Sequence, residues 1–183
     1  MLLVGQTGSG KSHLVHTLIN KFELAYSPDQ MKYALFDMKQ VEFVHEEIDG
    51  ERLFGREFLL FDVVIDPTFA LERLDELAEL ARNRAKLNKP QPFIFIYIEE
   101  CDIACEDQVR FDNAVITINE NASKANIKLI YSTSRPGEDA VSKRLLHSFE
   151  LVLNGPLVES DYDYLKVSRV SYLKPYDFAV TER

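Results

Sequence analysis

Apolar and polar positions along the chain follow two rhythms. Met1–Val4, Tyr33–Phe36, Phe93–Ile98, Ile127–Tyr131 and Phe149–Leu153 are apolar at nearly every position. Such short continuous runs read as strands buried on both faces of a parallel sheet. Between them the period is helical. Leu14, Val15, Leu18, Ile19 and Phe22 form one stripe over Lys11–Phe22. Leu71, Leu74, Ala78, Ala81 and Ala85 form another, in a helix opened by Asp66-Pro67 and running to about Leu87. A capping carboxylate followed by proline is a helix-start signal. Gln108–Ala122 reads as a third helix, Glu57–Ile65 as a further extended segment, and Lys89-Pro90-Gln91-Pro92 as a turn. In the tyrosine-rich tail from Ser160, Val167–Tyr172 reads as an edge strand. Strands alternating with helices predict an α/β fold of three layers, a mostly parallel central sheet flanked by helices. No repeat or linker divides residues 1–183, so one domain is expected, with a core over about 1–155 and a tail over about 156–183.

Composition changes this picture in three places. Net charge is −9 and the pI is near 5.0, which argues against a surface that grips nucleic acid throughout, because phosphate neutralisation needs clustered Lys and Arg. A local basic patch, or a few loops touching DNA, stays compatible with it. The cysteines, Cys101 and Cys105, form a C-x₃-C pair without a second pair or a nearby His; they read as reduced thiols and not as a zinc site. No apolar run is long enough to cross a bilayer and no leader is read before the first strand. A cytoplasmic protein is expected, with any attachment to the inner face of a membrane carried by segments outside this chain.

The chemistry begins at the end of the first strand. Gly5-Gln6-Thr7-Gly8-Ser9-Gly10-Lys11-Ser12 is a complete phosphate-binding loop between a strand and an amphipathic helix. Glycines let backbone N–H groups turn inward around phosphate oxygens, and the helix aims the positive end of its dipole at the same anion. Lys11 is expected on the β- and γ-phosphates of ATP and the Ser12 hydroxyl on Mg²⁺. The nucleotide-binding run extends to His13, although the chemistry requires neither His13 nor His16.

Phe93–Ile98 ends in Glu99-Glu100. Nucleotide hydrolysis needs one carboxylate for the metal and another to orient and deprotonate water. Glu99 is assigned to the metal and Glu100 to the water, with Asp102 a rival for either role. Asp37 and Lys39 also lie at a strand's C-terminal end, the usual ligand side of such sheets.

These residues resemble the FtsK/SpoIIIE family of DNA translocases and their HerA-like relatives, from Met1 to about Leu153. Thr7-Gly8-Ser9-Gly10-Lys11-Ser12 is similar to the family's TGSGKS loop, and Leu35-Phe36-Asp37-Met38-Lys39-Gln40-Val41-Glu42-Phe43 to its IDPKxxEL segment. Val63-Val64-Ile65-Asp66-Pro67, with Ala81-Arg82-Asn83-Arg84 in the helix after it, is similar to its VVTDP region; Ile98-Glu99-Glu100 stands at its IDE, and Ser132-Thr133-Ser134-Arg135-Pro136 at its ATQRP. The resemblance implies a RecA-like fold of the additional-strand (ASCE) class, a homo-oligomeric ring of six subunits, and ATP-driven movement of double-stranded DNA. Met38 departs from Pro, Glu99 from Asp, and Ser134 from the Gln that would sense the γ-phosphate; Thr133 is the alternative sensor. The upstream motor subdomain, membrane anchor and C-terminal winged helix are not among these residues, as in a fragment or a divergent minimal member.

A ring ATPase often completes its site with a neighbour's arginine. Arg82, Arg84, Arg110, Arg135 and Arg144 are candidates, Arg135 the best placed. Lys143-Arg144 reads as a surface pair, or as a pore contact. Three functions follow: a DNA translocase motor, an FtsK-like ATPase for protein secretion or conjugative transfer, or a nucleotide-binding regulatory module with weak turnover.

Overall fold

The structure, a computed structural model, describes residues 1–43, 54–87, 89–100, 107–137, 140–167 and 173–183, and the backbone of 47–48 and 51–52. In chain order the elements are β1 (Leu2–Val4), α1 (Lys11–Ala25), β2 (Met31–Asp37), β3 (Glu47–Ile48), β4 (Glu51–Arg52), a 3₁₀ turn (Arg56–Phe58) and α2 (Pro67–Ala85). Then come β5 (Phe93–Glu99), α3 (Gln108–Ala125), β6 (Ile127–Thr133), α4 (Lys143–His147), β7 (Leu151–Asn154), α5 (Glu159–Leu165) and β8 (Ala179–Glu182). Six strands form one sheet in the order β2-β5-β6-β1-β7-β8, parallel except for β8, which runs antiparallel to β7. β6 lies between β1, which carries the phosphate loop, and β5, which carries the acids. That is the expected additional-strand arrangement.

Side chains alternate across a strand, and here the alternation sorts two cores. Leu2, Val4, Phe36, Ile96, Ile98 and Leu129 face α2 and α3, where Leu74, Ala81 and Ile118 are fully buried. Leu3, Tyr33, Leu35, Phe95 and Tyr97 face α1, against Val15 and Ile19. The first core is mostly aliphatic, whereas half of the second's buried residues are aromatic. The helix ends follow from local chemistry. The Asp66 carboxylate accepts from Thr68 N–H (2.8 Å) with Pro67 at the first position, and Asp107 accepts from Arg110 N–H (2.9 Å). Each such cap stabilises a helix by about 1 kcal/mol.

The extended segment expected over Glu57–Ile65 is corrected at its start, where a 3₁₀ turn covers Arg56–Phe58. After the 3₁₀ turn, only Leu59 and Val64 bridge β2, at Tyr33 and Phe36. Five residue steps on one side oppose three on the other, so the segment bulges out of register, and Phe61 turns edge-on to Phe36. Helices α4 and α5 arise where the sequence suggested none. The antiparallel edge is taken by β8; residues 168–172 of the edge strand expected over Val167–Tyr172 lie outside the described residues. Cys101, Asp102 and Cys105 lie outside them as well.

Candidate active site

Parallel strands deliver their C-terminal ends to one edge of the sheet, and the phosphate loop, Asp37, Glu99 and Thr133 all arrive there. The loop takes its shape from two left-handed glycines, Gly8 (φ 82°) and Gly10 (φ 96°), a region closed to most L-residues. Gly10 precedes α1 without any side-chain cap, and the first turn carries no acid. The opening amides of a 15-residue helix are therefore left for an anion. Lys11, only 6% exposed, donates to the Gly5 carbonyl (2.8 Å). Burial lowers its pKa against the opposing pull of Glu99 and Glu100.

Glu99 and Glu100 diverge at the end of β5. Glu99 lies two residues after Tyr97, hence on the α1 face, and accepts the Tyr97 hydroxyl. It is 4% exposed, and burial drives its pKa from 4.5 to about 7 although Tyr97 and Lys11 draw it down. Glu100 takes a left-handed backbone (φ 42°) and pairs with Lys39. Burial raises its carboxyl, but Lys39, the Ser134 hydroxyl and Lys11 together outweigh burial and hold it below the ordinary carboxylate value.

Lys39 is positioned by Asp37. That carboxylate is fully buried at the end of β2 and accepts the backbone N–H groups of Val41 (3.3 Å), Glu42 (2.8 Å) and Phe43 (2.9 Å). The loop is thereby folded back over the site, and Glu42 comes with it. Ser12 donates to Glu42 Oε1 (2.5 Å), and His16 Nε2 lies 3.3 Å from Oε2. Hydrogen bonding to His16 lowers the Glu42 pKa against its burial, with Ser12 adding to the effect.

The tail closes the other side. Tyr176 N–H donates to the Ser9 carbonyl (2.8 Å). Because a trans peptide opposes its C=O and N–H, this turns the Gly10 N–H away from the tail. The Tyr176 ring meets His13 edge-on at 5.5 Å and 81°. Its φ of 72° costs an L-residue about 1–2 kcal/mol. A Cβ built on Gly10 would lie 2.5 Å from Tyr176 Cδ1. Pro175 fits the turn into this strap; nothing else in the sequence announced it.

The residues Gly5–His13, Lys39, Glu99, Glu100 and Ser134 are thus brought together. Thr133 is buried behind them, its hydroxyl accepting from Arg135 N–H (3.0 Å), and the Arg135 side chain is exposed beside the site. Arg82 bonds Thr117, Arg84 bonds the Pro92 carbonyl and Arg110 pairs with Asp75, so these three serve the scaffold. Lys143 and Arg144 open α4 on the surface. Glu42, Tyr97 and Tyr176 were missed as site residues, and His16, read as merely structural, touches Glu42. Glu42 stood in the same segment as Asp37 and Lys39; Tyr97 stood on the same strand face as Glu99.

The donors suit a small hard cation. Ser12, Glu42 and Glu99 offer oxygens only, the set Mg²⁺ takes together with phosphate oxygens, and Glu99 is a buried carboxylate that a cation would keep ionised. Among the described residues no group of three or more His, Cys, Asp and Glu forms a metal site by itself. Among them too, no helix is long and apolar enough to cross a membrane.

Solved structures share this fold. The ATPase 2 and 3 segment of EssC from Geobacillus thermodenitrificans aligns with a TM-score of 0.69 over 99% of this chain and 37% of that one, at 17% identity. The pCW3 conjugation coupling protein TcpA with ATPγS aligns at 0.66 over 90% of this chain and 51% of that one, also at 17% identity. The DNA translocase FtsK of Streptococcus pneumoniae is 28% identical over 78% of this chain, which spans 21% of that protein. The chain therefore covers about a fifth of the length of such relatives. The model of the FtsK/SpoIIIE family matches residues 1–93, half of the 183 residues, and the chain belongs to that family as a P-loop ATPase domain.

Proposed function

We propose that this domain hydrolyses ATP to move double-stranded DNA, working as a homo-oligomeric ring, a hexamer. The observation that carries the hydrolytic part is the meeting of an uncapped helix N-terminus, Lys11 and two differently ionising carboxylates in one cleft. Loop amides within Gly5–His13, apart from Gln6 N–H on the Pro156 carbonyl and Ser9 N–H on the Gln6 carbonyl, cradle the phosphates, and Lys11 leaves the Gly5 carbonyl for the β- and γ-phosphates. Ser12 and Glu99 hold Mg²⁺, which when bound screens phosphate charge; Ser12 must then turn away from Glu42. Glu100 takes a proton from the attacking water. An acid held at low pKa is a poor base, so Lys39 must release Glu100 for this step. Ser134, already on Glu100, senses the γ-phosphate; Thr133, the alternative, would first have to give up its bond to Arg135 N–H; and Arg135 reaches toward a neighbouring subunit's nucleotide. Family membership and the likeness to a DNA translocase support DNA as cargo.

Steady-state phosphate release tests this. Glu100→Gln is expected to slow it by about 10²–10⁴-fold with ATP binding intact; equal rates would leave a regulatory module with weak turnover. Duplex DNA should accelerate the unmodified protein. Absence of acceleration overturns the DNA reading in favour of protein cargo, secreted or conjugative, which the −9 net charge favours.

A further inference from the structure

We infer that Tyr176 is the platform on which the nucleotide base rests, with His13 packed nearly perpendicular to its ring; this rests on the nucleotide reading above. Successive helix residues are about 100° apart. Glu42, against Ser12 and His16, and Tyr176, against His13, therefore flank the start of α1 on different sides. A nucleoside triphosphate whose last phosphate faces the carboxylates must send its base away from them. The cleft is about 460 Å³ and is lined on that side by Tyr176, the one large aromatic of its described lining.

Tyr176 as a residue is 66% exposed, so it serves no core. Its backbone, by contrast, is fixed. Asp177 N–H donates to the Lys174 carbonyl (3.0 Å), Lys174 N–H donates to the Asp177 carboxylate (3.0 Å), and Tyr176 N–H holds Ser9. Pro175 followed by a positive φ makes a type II turn, where glycine is the undemanding third residue. Tyrosine at that position is disfavoured by the turn and unrewarded by burial. What it supplies is a rigid aromatic face held beside the phosphate loop. Every base has a π-face, so such a platform favours nucleotides over bare polyphosphate and distinguishes bases weakly.

Tyr176→Gly removes the face while easing the backbone, so the fold should survive. Dissociation constants for ATP and for inorganic tripolyphosphate, each with Mg²⁺, are compared in the unmodified protein, Tyr176→Gly and Tyr176→Phe. Tyr176→Gly should weaken ATP about tenfold and leave tripolyphosphate within about twofold, and Tyr176→Phe should bind ATP normally. An unchanged ATP affinity in Tyr176→Gly overturns the platform. So does an equal loss for both ligands, which would reduce the strap to a brace of the loop. An unmodified protein that binds neither ligand overturns the nucleotide reading itself, and the platform with it.

Discussion

The two flanks of the phosphate loop are finished in opposite ways. On the acidic flank every charge named above has a partner from the chain: Lys39 for Glu100, Ser12 and His16 for Glu42, Tyr97 for Glu99. On the tail flank the strap is tied down and Tyr176, though against His13 and Gly10, is mostly exposed. Burial explains the contrast. A buried charge without a partner is costly, so the acidic flank satisfies itself, and any ligand there must exchange partners. An aromatic face carries no such debt and can stay open. Affinity at the phosphate end is thus a difference between two sets of contacts, while the tail flank adds contacts where none existed.

The contrast is broken hardest at its centre. Lys11→Ala should weaken ATP about a hundredfold, since charge-assisted hydrogen bonds contribute up to about 3 kcal/mol; titration calorimetry giving an unchanged constant would remove the phosphate site. On the tail flank, Gly10→Ala forces a Cβ against Tyr176 at a φ of 96°. We expect about 2 kcal/mol of lost stability in urea, and a midpoint like that of the unmodified chain would mean the strap does not press on the loop. The smallest effect sharpens the acidic side. Folding raises the Glu99 pKa from 4.5 to about 7, so its contribution to the ligand-free protein is present below about pH 4.5 and is lost as pH rises through about 7. The urea midpoint should fall across that window, and Glu99→Gln should flatten the fall. Parallel curves for the two proteins would deny Glu99 its raised pKa.

Local chemistry was legible in the chain and distant pairing was not. Lys11, Ser12 and the strand ending at Glu99 sit in contiguous motifs whose geometry is set within a dozen residues. The cap at Asp66 and the stripe through Leu74 and Ala81 were readable for the same reason. The segment after Arg56 was misjudged because apolar character does not reveal a bulge that only pairing with β2 creates. Tyr176 was invisible because its place depends on β8 meeting β7, more than twenty residues earlier in the chain. Asp37 lay between these cases. Its strand-end position was plain, but its three backbone partners emerge only once the loop has folded over it.

That one anchor has a mechanical consequence. Lys39 and Glu42 hang from a single short arc pinned at Asp37, so their backbone positions are set together. The Lys39 side chain, long, flexible and 41% exposed, can still leave Glu100 without moving that arc. Letting go of Glu100 and letting go of Ser12 are then separate side-chain moves, made over a backbone that keeps its place.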